Sequence, residues 1–338
     1  MQSYSEKYIS EIKVGTNTDE KLRKAMPVFL NKEMYKNRLI TFLIAQKFKA
    51  KKVVDLMCAS GILSIALAKD LGIEVTANDL SPVALEETKR NAKLNNTKIN
   101  TCLSKAELFP ISSEDFFIID PFGSPALALK NVLKSCKLNS IVCTTATDIA
   151  VLGGKYPTKS AQIYDAKIHL NGFAEEMRIR ALLGFCESFA RENNKSIEPL
   201  LAYTERHYAK VCFKVIKKNA KRNLGFVYYN PKTGEGFTTT KRQKEQGLLE
   251  SENIWISAVN NIELKKNNLK TICTTSQDLT IADLFPISAK HYINIKKYFQ
   301  YKKRYVLKKA IMQKYGKISP YSYTLFLSKE NFKKIKII

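Results

Sequence analysis

The feature that most constrains this chain is the alternation, through its first half, of short apolar runs with helix-like stretches. Lys52-Val53-Val54-Asp55-Leu56-Met57, Glu74-Val75-Thr76-Ala77-Asn78, Ile99 to Leu103, Phe116 to Ile119 and Ser140 to Thr145 read as buried strands. Ile62 to Leu71 reads as a helix after a glycine turn. Beyond Asp79, Ser81 supplies an N-cap and Pro82 the first helical residue, with Glu86 and Glu87 near the positive helix end. Apolar strands alternating with helices make a parallel sheet covered on both faces.

Further on, Phe173 to Arg191 reads as a helix. Ile197 to Thr204 and Ala209 to Ile216 read as strands, and the link Glu205-Arg206-His207-Tyr208 is short enough for an antiparallel hairpin. Five parallel strands closed by a hairpin predict an α/β fold with the seven-stranded, Rossmann-like sheet of class I methyltransferases; a plain nucleotide-binding fold more often keeps a parallel sixth strand. Lys217-Lys218-Asn219-Ala220-Lys221-Arg222-Asn223 interrupts the apolar pattern with charge. The expected division is therefore 1–220 and 221–338, the second part a smaller α+β domain. It holds strand candidates at Gly225 to Tyr229 and Asn253 to Val259, a basic helix around Asn294 to Tyr315, and an alternating edge-strand candidate at Phe332 to Ile338.

The formal charge of +25 on 338 residues points to a polyanionic partner, because self-repulsion of that size opposes compactness. Lys, Asn and Ile enrichment tied to base composition is the alternative reading. The N-terminal residues lack the apolar core of a signal peptide, and no apolar run reaches the roughly 20 residues of a membrane helix, so no membrane is expected and a cytoplasmic location is. Seven scattered cysteines without a C-x-x-C pair suggest free thiols in a reducing compartment, and three histidines far apart make a metal site unexpected. The sequence leaves the oligomeric state open.

Two turns carry the chemistry. After the first strand comes Asp55-Leu56-Met57-Cys58-Ala59-Ser60-Gly61-Ile62, an acid followed by small residues that let a cofactor approach backbone and helix N-terminus. Only Gly61 of a G-x-G-x-x-G pattern is present, which disfavours a pyrophosphate and suits S-adenosyl-L-methionine. Asp79, 18 residues beyond Gly61, ends the second strand where an acid can accept ribose hydroxyls; a turn-forming Asp before Ser81-Pro82 is the plainer reading. After the fourth strand comes Asp120-Pro121-Phe122-Gly123-Ser124-Pro125. A carboxylate accepting one N–H of an amine, beside a backbone carbonyl accepting the other, frees the nitrogen lone pair for methylation. An adjacent aromatic can stack on an unstacked base. A capped turn before a helix is the alternative for these residues, and the motif by itself does not say which base carries the amine.

With these residues in place, the chain resembles the tRNA (guanine-26, N2)-dimethyltransferase family across most of its length. Asp120 to Pro125 is similar to that family's hexapeptide, and Val142-Cys143-Thr144-Thr145-Ala146-Thr147-Asp148 with Gly154-Lys155-Tyr156-Pro157 to its next strand motif. Glu175 to Arg180, Ile197 to Leu201 and Val28 to Arg38 also fit. The resemblance implies transfer of methyl groups from S-adenosyl-L-methionine to a guanine N2 amine in tRNA, giving N2-methyl- and N2,N2-dimethylguanosine. It implies that Arg38 meets the cofactor carboxylate, Asp55 and Gly61 border it, Asp79 holds the ribose and Ala106 lies beside the adenine. Asp120 is then the catalytic acid/base, Phe122 contacts guanine, and Phe29 lies near the target base. Leu63 and Lys105 depart from the family pattern, which has arginine and an acid there; Asn230 after Tyr228-Tyr229 departs from the cysteines of a structural zinc site. The basic run Lys296 to Tyr305, continued by Lys308-Lys309, is expected to present tyrosines to its own domain and lysines to phosphates. A methyltransferase of another RNA base amine and a non-catalytic RNA-binding relative remain alternatives at this point.

Overall fold

The computed structural model describes residues 3–15, 28, 30–171, 174–205, 207–220, 223–232, 235–243, 247–257, 259, 291–294, 317–318 and 324–327. In chain order, an antiparallel hairpin of β1 (Ser3–Lys7) and β2 (Glu11–Gly15) precedes α1 (Tyr35–Lys47). Then follow β3 (Lys52–Asp55), α2 (Ile62–Leu71), β4 (Glu74–Asp79), α3 (Pro82–Leu94), β5 (Asn100–Leu103), β6 (Phe116–Ile119), α4 (Ala126–Ser135) and β7 (Ile141–Ala146). Two short helices, α5 (Ile149–Leu152) and α6 (Pro157–Tyr164), lead to α7 (Ala174–Glu192), β8 (Lys195–Thr204) and β9 (Ala209–Lys217).

These strands form a seven-stranded sheet in the order β5-β4-β3-β6-β7-β9-β8. It is parallel through β7; β9 then runs antiparallel to β7, and β8 antiparallel to β9. The closing hairpin thus folds back so that its second strand, not its first, enters the sheet beside β7. All four residues of β6 are buried, and their alternation divides the core. Phe117 and Ile119 join the cluster under α4 and α7, whereas Phe116 and Ile118 join the cluster under α1 and α2. Each such side chain contributes about 1.5–3 kcal/mol through burial. Ser81 caps α3 as its sequence suggests, its hydroxyl accepting from the Ala84 N–H at 3.3 Å.

The N-terminal hairpin was not foreseen. Tyr8, Ile12 and Val14 bury themselves against the α1/α2 side of the core, and Asp70 at the end of α2 accepts from the Ile9 and Ser10 N–H groups at 2.9 and 2.8 Å. Beyond residue 220 a second, antiparallel sheet is built from β10 (Leu224–Tyr229), β11 (Glu235–Thr239), β12 (Leu249–Trp255), β13 (His291–Asn294), β14 (Lys317–Ile318) and β15 (Thr324–Leu327), in the order β12-β10-β11-β13-β15-β14. The strand expected at Asn253 to Val259 lies earlier, at Leu249–Trp255, because it pairs with β10 from Leu249 opposite Tyr229. The two sheets meet at α7: Arg180 donates from Nη1 to the Trp255 carbonyl at 2.7 Å, and a Cβ on Gly184 would stand 2.5 Å from the Asn253 carbonyl oxygen. Asn294, expected to open a basic helix, ends a strand instead; the rest of that helix and the segment Phe332 to Ile338 lie outside the described residues.

Cys143 on β7 and Cys212 on β9 are direct cross-strand partners with Cα atoms 4.2 Å apart, and they are joined as a disulfide. The expectation of free thiols fails here because strand register, invisible in a scatter of cysteines, sets two of them face to face. Cys58, Cys102, Cys136 and Cys186 remain free. Among the described residues, no helix is long and apolar enough to cross a membrane.

Candidate active site

The parallel strands deliver their carboxyl ends to one side of the sheet, where open α/β folds bind ligands. A cavity of about 540 Å³ opens there, within the usual range for small-molecule sites. The loop after β3, the turn after β6, the residues after β7, and Arg38 from α1 line it.

Asp55 ends β3 in a buried position and accepts from the Ser64 hydroxyl at 2.8 Å. Burial pushes its carboxyl up to about 7, with the nearby charge of Asp120 adding to the rise and the Ser64 bond opposing it. The loop then turns through Gly61 at φ +73°, whose N–H donates to the Cys58 carbonyl at 2.8 Å. A Cβ there would lie 2.6 Å from Thr88 Cγ2, and the Thr88 hydroxyl itself holds the loop by donating to the Ala59 carbonyl at 2.9 Å. Gly61→Ala is therefore expected to cost about 2–4 kcal/mol, as left-handed strain plus overpacking, in a urea-unfolding measurement. A cost under about 0.5 kcal/mol would show that the loop moves freely.

Asp79, at the end of β4, is bonded to backbone on both sides. Its Oδ2 accepts from the Ala59 N–H at 3.0 Å and its Oδ1 from the Ser81 N–H at 2.9 Å, so it ties the first loop to the start of α3. Asp79, Gly61 and Ala106 stand behind the cavity lining, whereas Asp55, Arg38, Asp120 and Phe122 belong to it. Ala106 opens a single turn whose carbonyl accepts from Asn131 Nδ2 at 3.1 Å. Leu63, where the family pattern has arginine, contributes an apolar wall. Phe29 lies outside the described residues.

The Arg38 guanidinium is divided. Nε donates to both Glu6 carboxylate oxygens at 3.1 and 3.0 Å, and Nη2 donates to Glu6 and to the Asn31 carbonyl at 3.0 Å. Glu6 thereby fastens the N-terminal hairpin to the cavity wall. Among the described residues Nη1 has no such engagement.

Asp120 emerges from β6 and accepts from Asn37 Nδ2 at 2.9 Å. Its turn is clamped to the end of β7 in both directions: the Gly123 N–H donates to the Thr147 hydroxyl at 2.6 Å, and the Thr147 N–H donates to the Gly123 carbonyl at 2.9 Å. Phe122, the residue before the clamped glycine, is 89 % exposed at the cavity rim. Burial raises the Asp120 carboxyl above its ordinary range; the charges of Lys210 and Arg38 and the bond from Asn37 oppose that rise. Asn37 and Lys210 were not singled out in the sequence. Asn37 sits in the quoted Val28 to Arg38 segment, and Lys210 interrupts an apolar strand, which was the available signal.

Asp148 completes the lining on the β7 side. Its Oδ1 accepts from the Tyr164 hydroxyl at 2.7 Å, while its Oδ2 is buried without a partner among the described residues. Although Asp148 precedes α5, its side chain does not cap that helix. Burial raises its carboxyl, against the lowering effect of the Tyr164 bond. No group of three or more His, Cys, Asp or Glu placed to hold a metal ion occurs among the described residues.

Residues 9–280 match the model of the family described as TRM, N2,N2-dimethylguanosine tRNA methyltransferase. A tRNA (guanine(26)-N(2))-dimethyltransferase of Pyrobaculum calidifontis is 34% identical over 219 residues, covering 60% of this chain and 61% of that protein. The protein of the same name from Methanobrevibacter smithii is 29% identical over 290 residues, covering 78% of this chain and 75% of its own length. The chain thus spans about three fifths of the length of the Pyrobaculum relative. Among solved structures, Trm1 from Pyrococcus horikoshii, in complex with S-adenosyl-L-methionine, superposes with a TM-score of 0.83 at 22% identity over 99% of both chains. That likeness establishes the class I methyltransferase fold with its added C-terminal strands. Because the family match runs from the N-terminal hairpin through the second sheet's first strands, the chain belongs to the N2,N2-dimethylguanosine tRNA methyltransferase family.

Proposed function

We propose that this chain transfers methyl groups from S-adenosyl-L-methionine to the exocyclic N2 amine of guanine 26 in tRNA, giving N2-methyl- and N2,N2-dimethylguanosine. The observation that carries the reading is the Asp120 carboxylate, held by Asn37 in the cavity wall beside an exposed Phe122. The cavity residues fit the cofactor: Gly61 leaves no room for a side chain under the loop, no phosphate-cradling glycine pattern is present, and polar groups at Asp55 and Arg38 flank an otherwise apolar wall. When bound, S-adenosyl-L-methionine would supply an electrophilic methyl carbon to the amine nitrogen, its bond to sulfur breaking to leave a neutral thioether. Asp79 and Gly61 would act by shaping the loop, and Ala106 by closing the far side.

Asp120 accepts one amine N–H, turning the nitrogen lone pair out of ring conjugation, and takes the proton released as the new bond forms. Phe122 offers a stacking face for a base drawn out of its helix. The net charge of +25 supplies the attraction for a polyanion, and we assign the part from residue 221 onward to holding the tRNA. The basic run that would carry most of it lies outside the described residues. We assign the protein to the cytoplasm, in keeping with a tRNA substrate. Unmodified tRNA incubated with the protein and cofactor should yield both methylated guanosines by nucleoside mass spectrometry. Product on another base, or none, overturns the reading.

Selection of guanine is assigned to Asp148, a cavity-lining carboxylate able to accept the N1–H that guanine carries beside its N2 amine. A tRNA with 2-aminopurine in place of the target guanine keeps the amine and lacks that N–H. Wild type should prefer guanine by roughly 10–100-fold in kcat/KM, the value of a hydrogen bond to a charged group, and Asp148→Asn should erase most of the preference. A variant that still discriminates as wild type does would remove Asp148 from base recognition.

A further inference from the structure

One charged side chain in the sheet takes no part in the cavity lining. Lys210 is the second residue of β9, is 1% exposed, and faces Thr145 on β7 and Tyr203 on β8 across the strand register. Its Nζ donates to the Thr145 hydroxyl at 3.5 Å. Thr145 in turn donates to Asn37 Oδ1 at 3.2 Å, and Asn37 donates from Nδ2 to Asp120 at 2.9 Å. Every link points the same way, from the ammonium to the carboxylate. With its oxygen accepting from Thr145, Asn37 presents its Nδ2 donor to Asp120.

Resting on the function proposed above, we infer that Lys210 is a positioning residue for methyl transfer: a buried counter-charge that holds Asp120 ionised and oriented through Thr145 and Asn37. A buried ammonium is expensive, and burial lowers its proton affinity to about 8, while the charges of Asp120 and then Asp55 oppose that loss. Replacing such a group with an apolar isostere is often neutral or stabilising, so packing alone gives no reason for it. The charged and titratable groups around this pair include His207, which lines the cavity with Asp120. Asp55 adds negative charge from β3, Arg38 adds positive charge beside Asp120, and Tyr203, hydrogen-bonded to Tyr208 at 3.1 Å, is held far above its ordinary range by burial. Glu205, at the hairpin turn, is paired with Lys36. None of these replaces Lys210 at the end of the relay.

The sign of the expected pH effect follows. Without the positive charge, Asp120 keeps its proton to higher pH, so the acid limb of kcat/KM moves up. For Lys210→Met we expect an upward move of about one pH unit, hence roughly tenfold lower activity on the acid side. Above about 8, where Lys210 itself sheds its proton, variant and wild type should converge. Lys210→Arg, which keeps the charge, should restore the wild-type profile. Thr145→Val, which interrupts the relay without removing the ammonium, should move the limb the same way by a smaller amount, and it serves as the test if Lys210→Met does not fold. The measurement is kcat/KM on unmodified tRNA from pH 6 to 9, with cofactor affinity by calorimetry as a control. A loss equal at every pH in Lys210→Met, or an unmoved limb in Thr145→Val where Lys210→Met does not fold, overturns the inference. Wild type that forms no methylated guanosine overturns the function itself, a separate outcome.

Discussion

Asp120→Ala is expected to lower methyl transfer by at least about 10³-fold, combining the loss of a placed acceptor with the loss of a proton acceptor, each of about 10²–10³ in comparable sites. The same variant should keep wild-type affinity for tRNA, because phosphate contacts spread over a basic surface provide most of that energy. Asp120→Asn tests the division: it keeps an oxygen that can accept from the amine and cannot take up the proton, so its loss should fall between wild type and alanine. Single-turnover methylation with excess enzyme is the measurement. Near-normal turnover by Asp120→Ala would remove the turn after β6 from the chemistry altogether.

Glu6→Ala should have the largest effect on stability. Glu6 is buried and accepts from Arg38, from the Tyr8 hydroxyl at 2.6 Å and from the Tyr4 hydroxyl at 3.1 Å. Removing it leaves a guanidinium and two phenols without their acceptor, at a cost of about 3–5 kcal/mol for the broken buried pair. Urea unfolding measures this directly. Adding Arg38→Met to Glu6→Ala should recover much of the loss, because the penalty comes from the stranded charge and not from the absence of the pair. A single-variant cost below about 1 kcal/mol would mean that the hairpin detaches without consequence.

The parts of the fold legible in the sequence are those decided locally. β6 is apolar throughout because it is covered on both faces, and Ser81-Pro82 announces α3 through cap chemistry alone. The Asp120 turn was legible for the same reason: strand end, acid, proline and glycine lie within four residues. What was missed depends on distant pairing. Glu6 reaches Arg38 across 32 residues, a pairing no local spacing reveals. Asp79 reaches back 20 residues to the Ala59 N–H, a tie that local pattern does not announce. Lys210 is one lysine among many until β9 is seen to lie between β7 and β8. The Cys143–Cys212 pair comes from that same placement.

The reversed entry of the closing hairpin also dictates an order of events during synthesis. The relay takes members from positions 37, 120, 145 and 210, and its last member arrives on the strand that must slot in against β7. Such long-range pairing is slow to form and is absent from any nascent chain that stops short of β9. In a nascent chain that ends at residue 205, β7 is the open sheet edge and Asp120, one strand further in, has no ammonium behind it. The relay is therefore complete only once the sheet is closed.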